Sequence, residues 1–311
     1  MPHRPVMYAA GRILPMDEAT VSAQDAGLLL GAGLFETLRT YGGRPFRLAA
    51  HLARLRASGA FFHIAVRESD AEVADLVRRL VEANGVPDAR VRITATRGRG
   101  EKDSRCLFPE GPEGCCAEKT SGVFFAPDSP PPATLLVTAG PMTPYPAELY
   151  ERGATVILSE VRTSETDPTV YHKTTGYLRN LVALRAARAA RATEALRFNT
   201  RDRLAEGAVS NVFLVREGRL LTPPVEDGLL AGVTRAAVLE LAAGAGVPAE
   251  QRSLVLQDLL DADEVFLTNS IMEVLPVGRI ERREVGQGKP GPVAGRLARA
   301  YRDLVARETR P

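Results

Sequence analysis

The chain has few of the residues that build disulfide frameworks and metal sites. Its 311 residues include only three cysteines and four histidines. Cys115 and Cys116 are adjacent, the third cysteine is Cys106, and no C-x-x-C spacing occurs. This pattern argues against a disulfide framework and against a zinc site, so we expect no metal. A reducing, cytoplasmic location is the expectation that follows.

Long apolar runs and a large net charge are also absent. No segment approaches the roughly 20 apolar residues that cross a bilayer, and the N-terminal segment lacks the apolar core of a signal peptide. The formal net charge is only +2. Bulk electrostatics therefore gives no reason to expect nucleic acid or an anionic membrane as a partner.

The residues that are present show both helical and strand patterns. Ser69 and Glu72 form an S-x-x-E capping box, which predicts that a helix over residues 69–85 begins here. Strand patterns and helical patterns are mixed without strict β-α-β alternation, which predicts an α+β fold. Apolar side chains recur at helical spacing after the capping box, at Val73, Leu76, Val77, Leu80 and Val81. A second helix is predicted over residues 175–192.

Two segments rich in proline and glycine indicate how the chain is organised. Residues 98–132 combine Gly, Pro and charge and are predicted to be mostly loop. Residues 141–146, PMTPYP, contain three prolines and are predicted to connect two domains. The predicted organisation is a small N-terminal α/β domain over 1–140 and a larger C-terminal domain over 147–311.

Five separated motifs give a sharper hypothesis. They occur in one order and resemble the fold-type IV pyridoxal-phosphate (PLP) enzymes, the class IV aminotransferase family. That family includes branched-chain and D-amino-acid aminotransferases and 4-amino-4-deoxychorismate lyase. The resemblance runs from about Ala23 to Val277, with residues 98–132 unmatched. The motifs are DAGLLLGAGLFETLR (25–39), FRLAAHLARL (46–55), HKTTGYL (172–178), LAEGAVSNVFLV (204–215) and the pair LLAGVTRAAV (229–238) with VFLTNSIMEVLPV (265–277).

The resemblance implies an architecture and an assembly. The fold would be α+β, with a small α/β domain, a larger pseudo-barrel domain and the cofactor between them. Family members are homodimers or larger homo-oligomers. The glutamate that follows the lysine along the chain is characteristic of fold type IV.

The resemblance also implies roles for single residues, because PLP is an electron sink that the protein must hold and tune. Lys173 would form a Schiff base with the cofactor aldehyde and then move the substrate's α-proton. Glu206 would keep the pyridine nitrogen protonated, and Arg54 would pair with the phosphate. Tyr177 would bond the phenolic oxygen, and Asn211 would hold the loop near Glu206.

Further contacts follow from the last motifs and from the first. Val233 and Thr234 would bind the phosphate at a helix N-terminus, and Ser270 would add a hydroxyl. The substrate contacts implied by the resemblance are Phe35, Thr37, Arg97 and Ile271. Each of these residues, taken alone, could also have an ordinary structural role. A single lysine, for example, usually lies on the surface.

Three activities stay open at this point. The expected reaction moves an amino group between an amino acid with an apolar side chain and a 2-oxo acid. The runner-up is 4-amino-4-deoxychorismate lyase, which releases pyruvate and 4-aminobenzoate. Thr37 and the TRGRG segment favour the lyase, whereas KTTGYLRN and EGAVSNVFLV favour the aminotransferase. A PLP-binding homologue without turnover is the third.

Overall fold

The computed structural model describes residues 4–9, 11–99 and 133–310. The three cysteines lie outside these residues, as does most of the segment 98–132 that the sequence predicts to be loop. Within the described part the chain forms eight α-helices and fifteen strands in a mixed order. None of the helices in these residues combines the length and apolarity needed to cross a membrane.

The chain divides into two compact units. Unit 1 comprises Met1–Thr37, Leu48–Pro141 and Thr174–Gly176. Unit 2 comprises Leu38–Arg47, Met142–Lys173 and Tyr177–Pro311. The chain therefore passes between the units several times, and one passage falls between Pro141 and Met142, inside the proline-rich segment.

A six-stranded sheet and two longer helices make up the first part of the chain. The strands follow the order β2-β1-β6-β5-β3-β4, and the β1–β2, β1–β6 and β5–β6 pairs are antiparallel. The elements are β1 (Val6–Ala9), β2 (Arg12–Pro15), α1 (Ala26–Leu30), β3 (Gly33–Tyr41), β4 (Arg44–Pro45), α2 (Leu48–Phe61), α3 (Asp70–Ala83), β5 (Ala89–Thr96) and β6 (Thr134–Pro141).

The helix α3 begins where the capping box predicts. The Ser69 hydroxyl accepts the Glu72 backbone N–H, and the Glu72 carboxylate accepts the Ser69 backbone N–H at 2.7 Å. All five predicted apolar side chains are buried. At the other end, the Asn84 side chain exchanges hydrogen bonds with the backbone of Val6 on β1. The predicted helix is confirmed, and it packs against the sheet through its apolar stripe.

A nine-stranded mixed sheet organises unit 2. Its order is β12-β11-β10-β13-β14-β7-β8-β9, with β15 beside β14, and the β14–β7 and β7–β8 pairs are parallel. The elements are α4 (Ala147–Arg152), β7 (Ala154–Leu158), α5 (Leu178–Ala189), β8 (Glu194–Phe198), β9 (Leu204–Gly207), β10 (Asn211–Arg216), β11 (Arg219–Thr222), α6 (Val233–Gly244), β12 (Ala249–Gln251), α7 (Leu256–Leu260), β13 (Glu264–Asn269), β14 (Glu273–Ile280), β15 (Arg283–Glu284) and α8 (Pro292–Glu308).

The central strands β10 and β13 are buried on both faces. Phe213 and Phe266 stack with ring centroids 4.9 Å apart, in the cluster that also contains α6 and α8 side chains. Their neighbours Val212 and Leu214 belong to the cluster on the opposite face. This double burial explains the continuous apolar run NVFLV. Asn211 is the first residue of β10, and Asn269 is the last residue of β13.

The helix after the lysine begins later than the sequence predicts. The expected helix covered residues 175–192, but α5 spans Leu178–Ala189. In unit 1, Thr174 forms a β-bridge with Leu34, and the Thr175 N–H donates to the Gly33 carbonyl at 2.8 Å. This backbone pairing replaces the first helical turn, so the predicted start was wrong by three residues.

Candidate active site

Lys173 lies in a short irregular segment of unit 2. A 3₁₀ turn, Pro168–Tyr171, precedes it, and the Asp167 side chain caps that turn by accepting the Thr169 N–H at 2.9 Å. Lys173 is half-buried, and its Nζ lies 6.0 Å from the centroid of the Tyr177 ring. The ammonium is therefore at the outer range of a cation–π contact.

Glu206 is a buried carboxylate held by two donors. It lies on β9 directly opposite Arg197 of β8. Arg197 Nη2 donates to Oε1 at 2.7 Å, and the Leu230 backbone N–H donates to Oε2 at 3.1 Å. Burial raises the pKa of Glu206, while the charge of Arg197, the Leu230 N–H and the charge of Lys173 oppose that rise. A carboxylate oxygen can accept more than one hydrogen bond.

A second buried carboxylate shapes the turn between β9 and β10. Glu194 accepts the N–H groups of Ala208 and Val209 at 3.1 Å each and the Ser210 hydroxyl at 2.9 Å. Burial raises the pKa of Glu194, and these hydrogen bonds oppose it. The E-G-x-x-x-N motif is therefore a fixed turn rather than a free loop.

Two side chains of the lysine segment reach this turn. The Asn180 amide donates to the Ala208 carbonyl at 2.5 Å, and the Tyr177 hydroxyl donates to the same oxygen at a long 3.4 Å. The structure thus brings Tyr177 to the turn that follows Glu206. Of the sequence-predicted residues, Lys173, Tyr177 and Glu206 lie in one part of unit 2.

Asn211 fixes the loop that carries Leu230. Its side-chain amide donates to the Leu230 carbonyl at 2.8 Å, while the Leu230 N–H binds Glu206. A Cβ built on Gly232 would lie only 2.0 Å from Asn211 Oδ1. Only glycine fits at this position without moving Asn211, so the three residues form one packed unit.

The N-terminus of α6 offers backbone donors. Val233 and Thr234 are its first residues, and the N-cap Gly232 has no side chain that could accept their N–H groups. Thr234 adds a buried hydroxyl-bearing side chain. Such a helix end suits an anion, because its N–H groups and its dipole both favour negative charge.

Asn269 shapes the turn that contains Ser270 and Ile271. Its Oδ1 accepts the N–H groups of Ile271 and Met272 at 2.8 Å each. Its Nδ2 donates to the Val209 carbonyl at 2.9 Å, which connects this turn to the one after Glu206. Both predicted residues therefore lie on a turn that two asparagine contacts hold in place.

In unit 1, Arg54 belongs to a buried ionic cluster. Its Nε and Nη2 donate to the two oxygens of Glu36, each at 2.7 Å, and His51 Nδ1 lies 2.7 Å from the same carboxylate. Burial alone would raise the pKa of Glu36, but the hydrogen bonds from Arg54 and His51 outweigh it and hold the pKa at about 2. Glu36 is thus an ionised group that orients Arg54.

The predicted substrate residues of unit 1 lie on β3 and after β5. Phe35 is buried, and the Arg92 guanidinium lies 3.7 Å from its ring centroid. Thr37 is half-buried two residues further along the same strand. Arg97 is half-buried, and desolvation lowers its pKa. Phe35 is therefore covered by a cation, whereas Thr37 and Arg97 keep partial exposure.

Sequence reasoning gave no role to Arg197, Glu36 or Glu194. For β8 the signal was the presence of two charged residues, Glu194 and Arg197, in a short strand whose five residues are all buried. A buried charge requires a partner. For Arg197, pairing β8 with β9 in the observed register would have identified Glu206 as the partner.

The comparison with protein families decides the assignment. The family model described as "Amino-transferase class IV" matches residues 33–280. This chain belongs to the class IV aminotransferase family. The family predicted from the five motifs is confirmed.

The similarity of this class IV aminotransferase to known proteins extends over nearly all of its length. A D-alanine aminotransferase of Bacillus licheniformis is 29% identical over 300 residues, covering 96% of both chains. The branched-chain aminotransferase of the archaeon Thermoproteus uzoniensis, solved with norvaline, is 28% identical, with a TM-score of 0.81 over 97% of this chain and 95% of that one. The Escherichia coli branched-chain amino acid aminotransferase is 26% identical, with a TM-score of 0.84 over 99% of this chain and 96% of that one. The predicted α+β, fold-type IV class and the predicted enzyme class are confirmed.

Class IV aminotransferases are PLP enzymes, and the residues of unit 2 fit that group. A pyridine N–H needs a buried acceptor, and Glu206 is one. A phosphate needs uncapped N–H groups, and the α6 N-terminus supplies them. An aldehyde needs an amine, and Lys173 lies within electrostatic reach of Glu206.

Proposed function

We propose that this class IV aminotransferase moves the amino group of an apolar amino acid to a 2-oxo acid, using PLP bound through Lys173. The observation that carries the proposal is that Lys173 lies within electrostatic reach of Glu206, a buried carboxylate of the same unit that accepts two hydrogen bonds. The bound cofactor would supply an electron sink for the bond-breaking step.

Lys173 has two tasks in this proposal. Its Nζ would hold the cofactor aldehyde, and the same amine would remove the α-proton of the substrate. Glu206 would hold the ring nitrogen and keep it protonated. The Tyr177 hydroxyl, whose bond to Ala208 is long and weak at 3.4 Å, is assigned to the phenolic oxygen.

Phosphate binding is assigned to four residues. Val233 and Thr234 contribute N–H groups and a hydroxyl at the start of α6, and Ser270 contributes a second hydroxyl from its turn. Arg54 contributes a guanidinium whose fork suits phosphate oxygens. Glu36 orients that guanidinium by accepting hydrogen bonds from Nε and Nη2.

An apolar side chain is proposed for the amino donor. The branched-chain enzymes among the solved structures support this choice. Ile271, on its fixed turn, and the Phe35 ring would supply apolar contacts. Thr37 and the partly exposed Arg97 would meet the polar end, because a guanidinium pairs with a carboxylate.

A homodimer or larger homo-oligomer is also proposed. Leu178, Leu181 and Val182 occupy one face of α5 and are 76%, 53% and 46% exposed in the single chain. Their i, i+3, i+4 spacing makes an apolar stripe. An exposed apolar stripe of this kind is typical of a surface that another copy covers.

The test loads the purified protein with PLP and follows its visible spectrum. We expect an absorbance band from the bound cofactor. L-leucine should change this band, whereas glycerol should not. On turnover, the amino group should be transferred to 2-oxoglutarate. The variant Lys173→Ala should lose the band of the lysine-bound cofactor and the activity together. L-valine and D-alanine, compared with L-leucine, define the side chain and the stereochemistry accepted.

Three outcomes would contradict the proposal. Pyruvate release from 4-amino-4-deoxychorismate without any amino acceptor would favour the lyase. A bound cofactor whose spectrum responds to no amino acid would favour a homologue without turnover. Full activity of Lys173→Ala would remove the assigned role of Lys173.

A further inference from the structure

The ion pair between Arg197 and Glu206 is buried within unit 2. Arg197 is only 4% exposed and lies in β8, where every residue is buried. Its Nη2 donates to Glu206 at 2.7 Å and lies 3.5 Å from the Gly207 carbonyl. Among the described residues, its buried Nε has no hydrogen-bond partner. Burying a guanidinium so incompletely satisfied is costly. Its principal interaction is therefore the one with Glu206.

The charges that face Glu206 come from two segments. Arg197 on β8 and Lys173 before α5 are cations, and Glu194 on β8 is an anion that disfavours ionisation of Glu206. The Leu230 N–H is the remaining donor. Arg197 is the one cation of this set whose charge is fixed, because a guanidinium does not lose its proton in proteins, whereas a lysine that acts as a base must give up its proton.

We propose that Arg197 is a positioning residue that keeps Glu206 ionised before the cofactor arrives and aims its carboxylate. This inference rests on the proposed function, since it concerns the partner of the cofactor ring. An isolated carboxylate at such depth would take up a proton. With Arg197 beside it, Glu206 is already an anion in the cofactor-free protein. It would therefore accept the ring N–H without first releasing a proton.

The number of protons exchanged when PLP binds distinguishes the wild type from a variant that lacks the Arg197 charge. In the wild type, a protonated ring brings its own proton, and Glu206 exchanges none with solvent. In Arg197→Met, Glu206 carries a proton in the cofactor-free protein. One proton must then leave the complex when the protonated ring binds. The affinity of the variant for PLP should therefore gain about tenfold per pH unit relative to the wild type, as linkage requires.

The experiment counts these protons. PLP is titrated into cofactor-free protein by calorimetry between about pH 6 and about pH 8, in two buffers that differ in ionisation enthalpy. The proteins are the wild type, Arg197→Met, Arg197→Gln, Arg197→Lys and the control Arg252→Met. Arg252 pairs with Asp258 at 2.8 Å, and neither residue is among those assigned to the site. Circular dichroism checks that each variant is folded.

We expect one additional proton released by Arg197→Met and by Arg197→Gln. Arg197→Lys and Arg252→Met should release the same number as the wild type. Arg197→Gln serves as the second neutral variant, because it keeps a side-chain donor while it removes the charge. A folded neutral variant with the wild-type proton count, or one that binds no PLP at any pH tested, contradicts the inference. If every Arg197 variant, including Arg197→Lys, is unfolded, the residue is structural and the inference is also wrong.

The proposed function has a separate readout in the same experiment. If the wild type binds no PLP, the proposed function fails. If the wild type binds PLP with the expected visible band and the neutral variants release no extra proton, only the role of Arg197 fails.

Discussion

At the scale of single residues, Glu36 has the clearest pH signature. Its pKa falls from 4.5 to about 2 in the folded chain. A lowered carboxylate pKa adds stability that is present above the unfolded pKa and is lost as the pH falls toward the folded one. The shift corresponds to on the order of 3 kcal/mol in the free energy of unfolding. We expect the wild type to lose this contribution progressively below about pH 4.5.

The matching experiment is urea unfolding of Glu36→Gln at several pH values. The variant should be less stable at neutral pH, and its stability should depend less steeply on pH below the unfolded pKa of Glu36. Glu284→Gln removes an exposed carboxylate, paired with Arg279 at 3.3 Å, and serves as the control. Parallel pH curves for Glu36→Gln and the wild type would refute the assignment.

Glu206 gives a second prediction at the residue scale. Glu206→Gln should still bind PLP, because the phosphate contacts remain. Its amino-transfer turnover should fall by about 10²-fold, the size typical of a lost preorganised electrostatic partner. Stopped-flow spectra with L-leucine measure the proton-removal step directly. An unchanged rate in a PLP-loaded variant would show that Glu206 does not tune the ring.

Residue roles were only partly predictable from the sequence. Lys173 and Glu206 stand in motifs whose spacing is informative without any structure. Arg197 was not predictable, because its role depends on the register of β8 against β9, which places it opposite Glu206. Glu36 sits in a quoted motif, yet its role needs β3 and α2 to be folded together.

At the scale of elements, the start of α6 depends on a glycine. A Cβ at Gly232 would meet Asn211 Oδ1 at 2.0 Å, so Gly232→Ala should displace Asn211 and with it the Leu230 loop. We expect PLP affinity, measured by fluorescence titration, to fall by at least about tenfold, the effect of losing roughly 1.4 kcal/mol.

A glycine at the other end of the same helix provides the control. Nothing lies within 4 Å of a Cβ built on Gly244. Gly244→Ala should leave PLP affinity unchanged and raise stability by about 0.5–1 kcal/mol, since alanine is the better helix former. Equal PLP affinities for the two variants would contradict the account of the α6 N-terminus.

Elements were predicted well where their pattern is local. The capping box and stripe of α3 needed no tertiary information, and the structure confirms them. The start of α5 was wrong because Thr174 and Thr175 use their backbone for pairing with Leu34 and Gly33, which are distant in the sequence. Tertiary hydrogen bonds of this kind are invisible to helical periodicity.

At the scale of the whole molecule, the apolar stripe on α5 predicts self-association. Leu181→Glu places a charge in the middle of the stripe and should shift the protein toward monomer, as measured by light scattering on a sizing column. Leu256→Glu changes an exposed leucine on α7, 42% exposed, and should leave the mass unchanged. A wild type that is monomeric at working concentration would contradict the proposal.

The most direct test of the whole account concerns where the cofactor is attached. The chain offers few candidates, since its lysines are Lys102, Lys119, Lys173 and Lys289. Borohydride reduction of the PLP-loaded protein converts a lysine-bound cofactor into a stable amine, and peptide mass spectrometry then locates it. The account predicts the added mass on the peptide containing Lys173 and on no other. A label on a different lysine, or no label in a protein that retains amino-transfer activity, would contradict it.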